Sequence, residues 1–128
     1  MSFWDNIKWF TRDEFRCPCG ECTGFPVEPQ TRLVVDLELI RDAWGQPIHN
    51  NSGVRCAAHN TAVGGAPDSA HLTGWAADIS ITDSMSRHEF LAFANPTFHR
   101  IGVGETVVHV DHDPTKAARA MWLYHGEK

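Results

Sequence analysis

The chain has 128 residues, of which 42% are hydrophobic and 21% charged, with a formal net charge of −5. That balance describes an ordinary globular protein, and a chain of this length buries roughly two thirds of its unfolded surface without staples. Lysine and arginine form no basic stripe, so nucleic acid is excluded as a partner, and no apolar run is long enough for a membrane span. The opening segment MSFWDNIKWFTRDEF has no signal-peptide core, which predicts synthesis in the cytoplasm. One domain over residues 1–128 is expected.

Thr11 and Glu14 have the form of a capping box and predict a short helical turn. The segment FRCPCGEC that follows is too rich in Cys, Pro and Gly for a regular element. Between about Pro29 and Trp44, Leu33, Leu37, Ile40 and Trp44 recur at helical spacing, and Gly45 and Pro47 supply the stop. PIHNNSGVR predicts a short strand ending in a turn, and VGGAPDS a loop. WAADISI predicts a strand with Ile79 and Ile81 on one face and Asp78 at its mouth. Ser86 with Glu89 forms a second capping box, opening a helix that Asn95-Pro96 ends. RIGVG and TVVHVD predict two strands joined by little more than Gly104-Glu105, and AMWLYH one that pairs with them. Helices mixed with antiparallel strands make the class α+β.

His71 and Asp78 stand seven apart in SAHLTGWAAD, on a loop and at a strand entrance. They fit two ligands of a catalytic zinc, or two polar residues of a surface turn. Strand alternation through ETVVHVDHD puts Glu105, Val107, His109 and Asp111 on one side, so His109 is a candidate third ligand or a core histidine. His49, His59, His88, His99 and His125 read as surface residues, while His112 shares the His109 neighbourhood. Cys17, Cys19 and Cys22 form C-x-C-x-x-C, with Cys56 distant in sequence. Disulfides and free thiols are alternatives, but four such thiols match a closed tetrahedral structural zinc site.

The run SGVRCAAHNTAVGGAPDSAHLTGWAADI with the later VVHVD resembles the zinc D-Ala-D-Ala carboxypeptidase and L-alanyl-D-glutamate endopeptidase family of peptidoglycan peptidases. The family pattern Ser-x-His, two residues, Gly-x-Ala-x-Asp is matched at Ser69, His71, Gly74, Ala76 and Asp78, and the likeness runs from near Phe15 to about Asp111. The resemblance implies a small Hedgehog/D-Ala-D-Ala peptidase-like domain, an antiparallel sheet flanked by helices, with His71, Asp78 and His109 as zinc ligands. It implies that Arg55 stabilises charge on the polarised carbonyl, that Asp111 is an acid behind a ligand, and that Ser69 orders the loop presenting His71. One position departs. Where the family places an acidic general base three residues before the last histidine, this chain has Thr106, which cannot accept a proton. Glu105, one residue earlier, is the expected base, with His112 an alternative.

The resulting expectation is a zinc peptidase acting on peptidoglycan stem peptides, of phage endolysin type, monomeric, made in the host cytoplasm and acting on the wall after release. It would hold one catalytic and one structural zinc. A cellular D-Ala-D-Ala carboxypeptidase and a non-catalytic zinc-containing wall-binding module are the rivals.

Overall fold

The computed structural model describes residues 2–124, so His125 lies outside the described residues. Three α-helices, α1 (Thr31–Trp44), α2 (Ala57–Ala62) and α3 (Ser84–Ala94), accompany five strands: β1 (Asn50–Ser52), β2 (Ala76–Ser80), β3 (Arg100–Val103), β4 (Val107–Asp111) and β5 (Ala120–Leu123). The sheet order is β1-β2-β4-β3-β5, antiparallel throughout except for the parallel β3–β5 pair. The class is α+β, as composition and patterning predict. No described helix is long and apolar enough to cross a membrane.

Strand alternation divides the sheet into two chemically different faces. Ala77, Ile79, Ile101, Val108 and Val110 point to one side and are buried with Leu33, Val34, Leu37 and Ile40 of α1 and Phe90 of α3. That side is the core. Leu37 is fully buried there, so truncating it to Ala costs about 2–5 kcal/mol through lost transfer energy and the cavity left behind. The Trp44 ring lies 5.7 Å from Phe90 and its Nε1 donates to Glu89 at 3.0 Å, fastening α1 to α3.

The local predictions hold with one shift. Glu14 accepts from the Thr11 N–H at 2.7 Å over a 3-10 turn, Arg12–Phe15. Helix α3 begins three residues earlier than the Ser86–Glu89 box implies. Asp83 is its cap, with a carboxylate accepting from the Ser86 N–H at 2.9 Å, and this leaves Glu89 free to bind Trp44. His49, His88 and His99 are exposed and His59 is half-buried.

Register aligns the second face. Ser52 pairs with Asp78, Asp78 with His109, His109 with Gly102, and Gly102 with Trp122. One transverse row therefore crosses all five strands on the side away from the core. A neighbouring row carries Ala76, Asp111, Arg100 and Ala120. Directly opposed residues have Cβ atoms about 5 Å apart, so this register alone brings Asp78 and His109 within contact.

Candidate metal centre

His71 enters this row from a 3-10 turn, Ala70–Thr73, between α2 and β2. The Ser69 hydroxyl accepts from the His71 N–H at 3.2 Å and starts the turn. Gly74 ends it in the left-handed region at φ 80°, where an added Cβ would lie 2.3 Å from the Glu28 carbonyl oxygen. The serine and glycine of the sequence pattern thus shape the backbone that delivers His71 and then Asp78. Residue types with a Cβ fit poorly at such a turn.

Three ligand atoms converge. Asp78 Oδ1 lies 3.2 Å from His71 Nε2 and 2.9 Å from His109 Nδ1. Around a tetrahedral zinc with bonds of about 2.0–2.1 Å, neighbouring donors stand roughly 3.3 Å apart, so the spacing fits. The outer ring nitrogens settle the tautomers. His71 Nδ1 donates to the Gly53 carbonyl at 2.6 Å, and His109 Nε2 donates to the Asp111 carboxylate at 2.7 Å. With those protons outward, the two inner imidazole nitrogens and a carboxylate oxygen face one another, and a proton or a metal ion must bridge them. Such a trio of acceptors calls for a cation between them, and carboxylate- or carbonyl-oriented histidines are the usual companions of bound metal.

Charge and burial act together here. Burial drives the His71 imidazole toward its neutral form despite the Asp78 charge. At Asp78 burial works against ionisation, but His71 and His109 outweigh it and hold the carboxyl well below the usual carboxylate range. At His109 burial opposes protonation, while hydrogen bonds to Asp111 and Asp78 prevail and raise its pKa.

Arg55 is buried beside the ligands, only 6% exposed. Its Nη2 donates to Asp78 Oδ2 at 3.2 Å, Nη1 to Asn60 at 3.1 Å, and Nε to Ser52 at 3.1 Å. The guanidinium therefore turns the Asp78 carboxylate so that Oδ1 faces the histidines. Asn60 and Ser52 had no signal in the sequence, because their role exists only once α2 and β1 flank the arginine. Asp111 accepts from the Asp113 N–H at 3.0 Å and meets Arg100 at 3.4 Å, so its own orientation is fixed.

The ligands open onto a cleft of about 340 Å³ lined also by Arg55, Arg100, Lys116, Trp122 and Tyr124. Trp122 lies 5.4 Å from the His109 ring, over Gly102, where an added Cβ would approach the indole to 2.7 Å. Burial pushes the Tyr124 phenol up to about 12, keeping it protonated at neutral pH. Arg100, Trp122 and Tyr124 went unnoticed in the sequence, since the parallel β3–β5 pairing that gathers them is long-range.

Glu105 does not join this group. Strand β4 starts only at Val107, so the alternation expected from Glu105 onward begins two residues later. The carboxylate stands exposed on the β3–β4 connection, outside the residues lining the cleft, and its backbone carbonyl takes a hydrogen bond from Arg87. Asp68 is the additional carboxylate that lines the cleft. His112 points elsewhere, its Nε2 2.6 Å from Asp36.

A second cluster forms near Arg55. The sulfurs of Cys17, Cys19, Cys22 and Cys56 all lie within 4.8 Å of one another, with no disulfide among them. The Glu21 N–H pulls the Cys19 thiol down to about 7. At Cys22 the Gly24 N–H favours the thiolate, but burial and the adjacent Cys19 and Cys17 sulfurs outweigh it and push the thiol up to about 11. Crowded thiols ionise together only when a cation compensates them.

Comparison with the curated proteins returns no match. The family model described as Peptidase M15 matches residues 8–112, a span that holds all three converging ligands, Arg55, Asp111 and the four cysteines. The chain belongs to the peptidase M15 family.

Proposed function

We propose that this protein is a zinc endopeptidase that cuts peptidoglycan stem peptides, of the phage endolysin type that cleaves L-alanyl-D-glutamate bonds. Membership of a peptidase family supports hydrolysis. The observation that carries the reading is the convergence of three inward-facing donors, His71 Nε2, Asp78 Oδ1 and His109 Nδ1, on a cleft. Three protein ligands leave a coordination position for chemistry, unlike a closed structural site.

Zinc held there would act as a Lewis acid on the scissile carbonyl and bring the pKa of a water toward ~7. Around it the chain binds and orients. Arg55 offers the cleft a buried, immobilised positive charge for the carbonyl oxygen as it gains negative charge. Tyr124 adds a phenol that stays protonated. Asp111 holds the His109 tautomer. Of the carboxylates not engaged with the histidines, Asp68 lines the cleft and Glu105 does not, and Asp68 takes the proton of the attacking water and returns it to the leaving amine.

An endopeptidase needs chain-length room on both sides of the scissile bond. A second depression, lined by Pro18, Ser52, His59, Val63 and Thr106, meets the first at Arg55 and Asp78. This neighbouring depression offers room beyond the ligands, which supports an endopeptidase over a D-Ala-D-Ala carboxypeptidase. Release from the cytoplasm of an infected host, action on the wall and a monomeric state belong to this proposal.

The test is clearing of a purified peptidoglycan suspension, followed by mass spectrometry of the fragments. Clearing that stops on chelation, with new L-alanine carboxyl and D-glutamate amino ends, is expected. Release of D-alanine alone would reassign the enzyme as a carboxypeptidase, and binding without any fragments would leave a non-catalytic wall-binding module.

A further inference from the structure

We infer that Cys17, Cys19, Cys22 and Cys56 bind a second, structural zinc ion, which clips the loop at residues 17–24 to the segment carrying Arg55 and so builds one wall of the groove. This site is separate from the His71–Asp78–His109 centre, and its metal is read out without any hydrolysis.

The sulfur geometry comes first. Cys19 and Cys56 Sγ lie 3.8 Å apart, far beyond the ~2.05 Å of a disulfide. Zn–S bonds of about 2.3 Å in a tetrahedron put sulfurs roughly 3.8 Å apart, and all four sulfurs are within 4.8 Å. Four ligands close the coordination sphere, leaving no position for substrate.

Each sulfur also accepts a backbone hydrogen bond. Backbone N–H groups donate to Cys17 from Cys56 at 3.4 Å, to Cys19 from Glu21 at 3.4 Å, to Cys22 from Gly24 at 3.2 Å, and to Cys56 from His59 at 3.4 Å. Four separate amides aimed at four sulfurs match the N–H donors that surround a metal-bound thiolate cluster. Soft sulfur ligands in a tetrahedral set select zinc over magnesium or calcium.

The backbone around the cluster is drawn together as a metal clip requires. Cys17 N–H donates to the Gly24 carbonyl at 2.7 Å, closing the loop, and Val54 N–H donates to the Phe15 carbonyl at 2.9 Å, laying residues 15–17 beside 54–56. Pro18 from this loop and His59 just beyond Cys56 both line the second half of the groove. Cys56 is also bonded directly to Arg55, whose N–H donates to the His71 carbonyl at 3.1 Å.

Metal counting by native mass spectrometry tests the site on the intact chain. Two zinc ions are expected in the wild type, one in His109→Ala and one in Cys22→Ser. Cobalt exchanged into His109→Ala should keep an intense thiolate-to-metal charge-transfer absorption that Cys22→Ser lacks. If Cys22→Ser does not fold, cobalt titration of the wild type suffices, because one of its two equivalents must bring in that absorption. A single zinc per native wild-type chain, with all four thiols reacting as fast as in unfolded protein, overturns the inference, as do two disulfides or iron in place of zinc. Since none of these readouts involves substrate, a failed peptidase reading and a failed four-thiolate site are told apart.

Discussion

Two clusters of metal-ligand residues lie on either side of Arg55, and they are built in opposite ways. Asp78 and His109 owe their meeting to sheet register, directly opposed on β2 and β4, and His71 joins them from the 3-10 turn just before β2, all three buried. The four cysteines come from two irregular segments and meet at the surface, three of them half-buried. The sheet holds its trio in place through hydrogen bonds to Gly53 and Asp111. The cysteine loops are tied by a few backbone hydrogen bonds, Cys17 to Gly24 and Val54 to Phe15, and a bound ion would clip them further. The difference teaches that a site on strands can leave a position open for chemistry, while a site on loops spends every ligand on structure.

The largest expected effect falls on the sheet-built trio. His109→Ala should reduce turnover to background in the clearing assay while thermal unfolding moves little, because β4 keeps its apolar partners Val108 and Val110. A collapse of the fold would mean that the trio, like the cysteines, is structural. Next, Arg55→Lys keeps the charge but loses the planar fork that engages Ser52, Asn60 and Asp78 together. A fall in kcat of about 10²-fold with zinc content retained is expected, the size seen when one charge-stabilising donor is lost. Unchanged kcat would confine Arg55 to holding Asp78.

A smaller effect is expected one layer out. Asp111→Asn should weaken zinc binding by about 10–100-fold, measured by competition with a chelator, because the His109 tautomer loses its anchor. Equal affinity in the variant would show that β4 alone orients His109. The smallest change is expected at Glu105, set against Asp68. Glu105→Gln should leave kcat within about threefold, a surface-like response, and Asp68→Asn should lower it more. The reverse order would mean that the β3–β4 connection folds over bound substrate and delivers Glu105.

The elements whose signals are local were legible in the sequence. Helix α1 follows from the spacing of Leu33, Leu37 and Ile40, and β2 and β4 from their apolar alternation. The ligands were legible too, since Ser69, Gly74 and the seven-residue step from His71 to Asp78 record one backbone path. What stayed hidden depends on where strands stop and which strands pair. Glu105 falls outside the cleft lining because β4 begins at Val107, a boundary that Gly104 and Thr106 do not mark. Trp122, Tyr124 and Arg100 reached the cleft through a parallel pairing of β3 with β5, for which no local pattern exists. The Asp83 cap won over Ser86 because its carboxylate reaches the Ser86 N–H from an extended residue outside the helix.

The bare Cα of Gly102 has a consequence beyond packing. With no side chain between them, the Trp122 indole and the His109 imidazole lie 5.4 Å apart, and the indole is only partly covered. An indole that close to a metal ligand is an optical reporter: a paramagnetic ion such as cobalt on His109 would quench the emission of Trp122 and leave Trp44, across the sheet in the core layer, bright. Occupancy of the centre can then be followed by light in the native chain, without label or substrate.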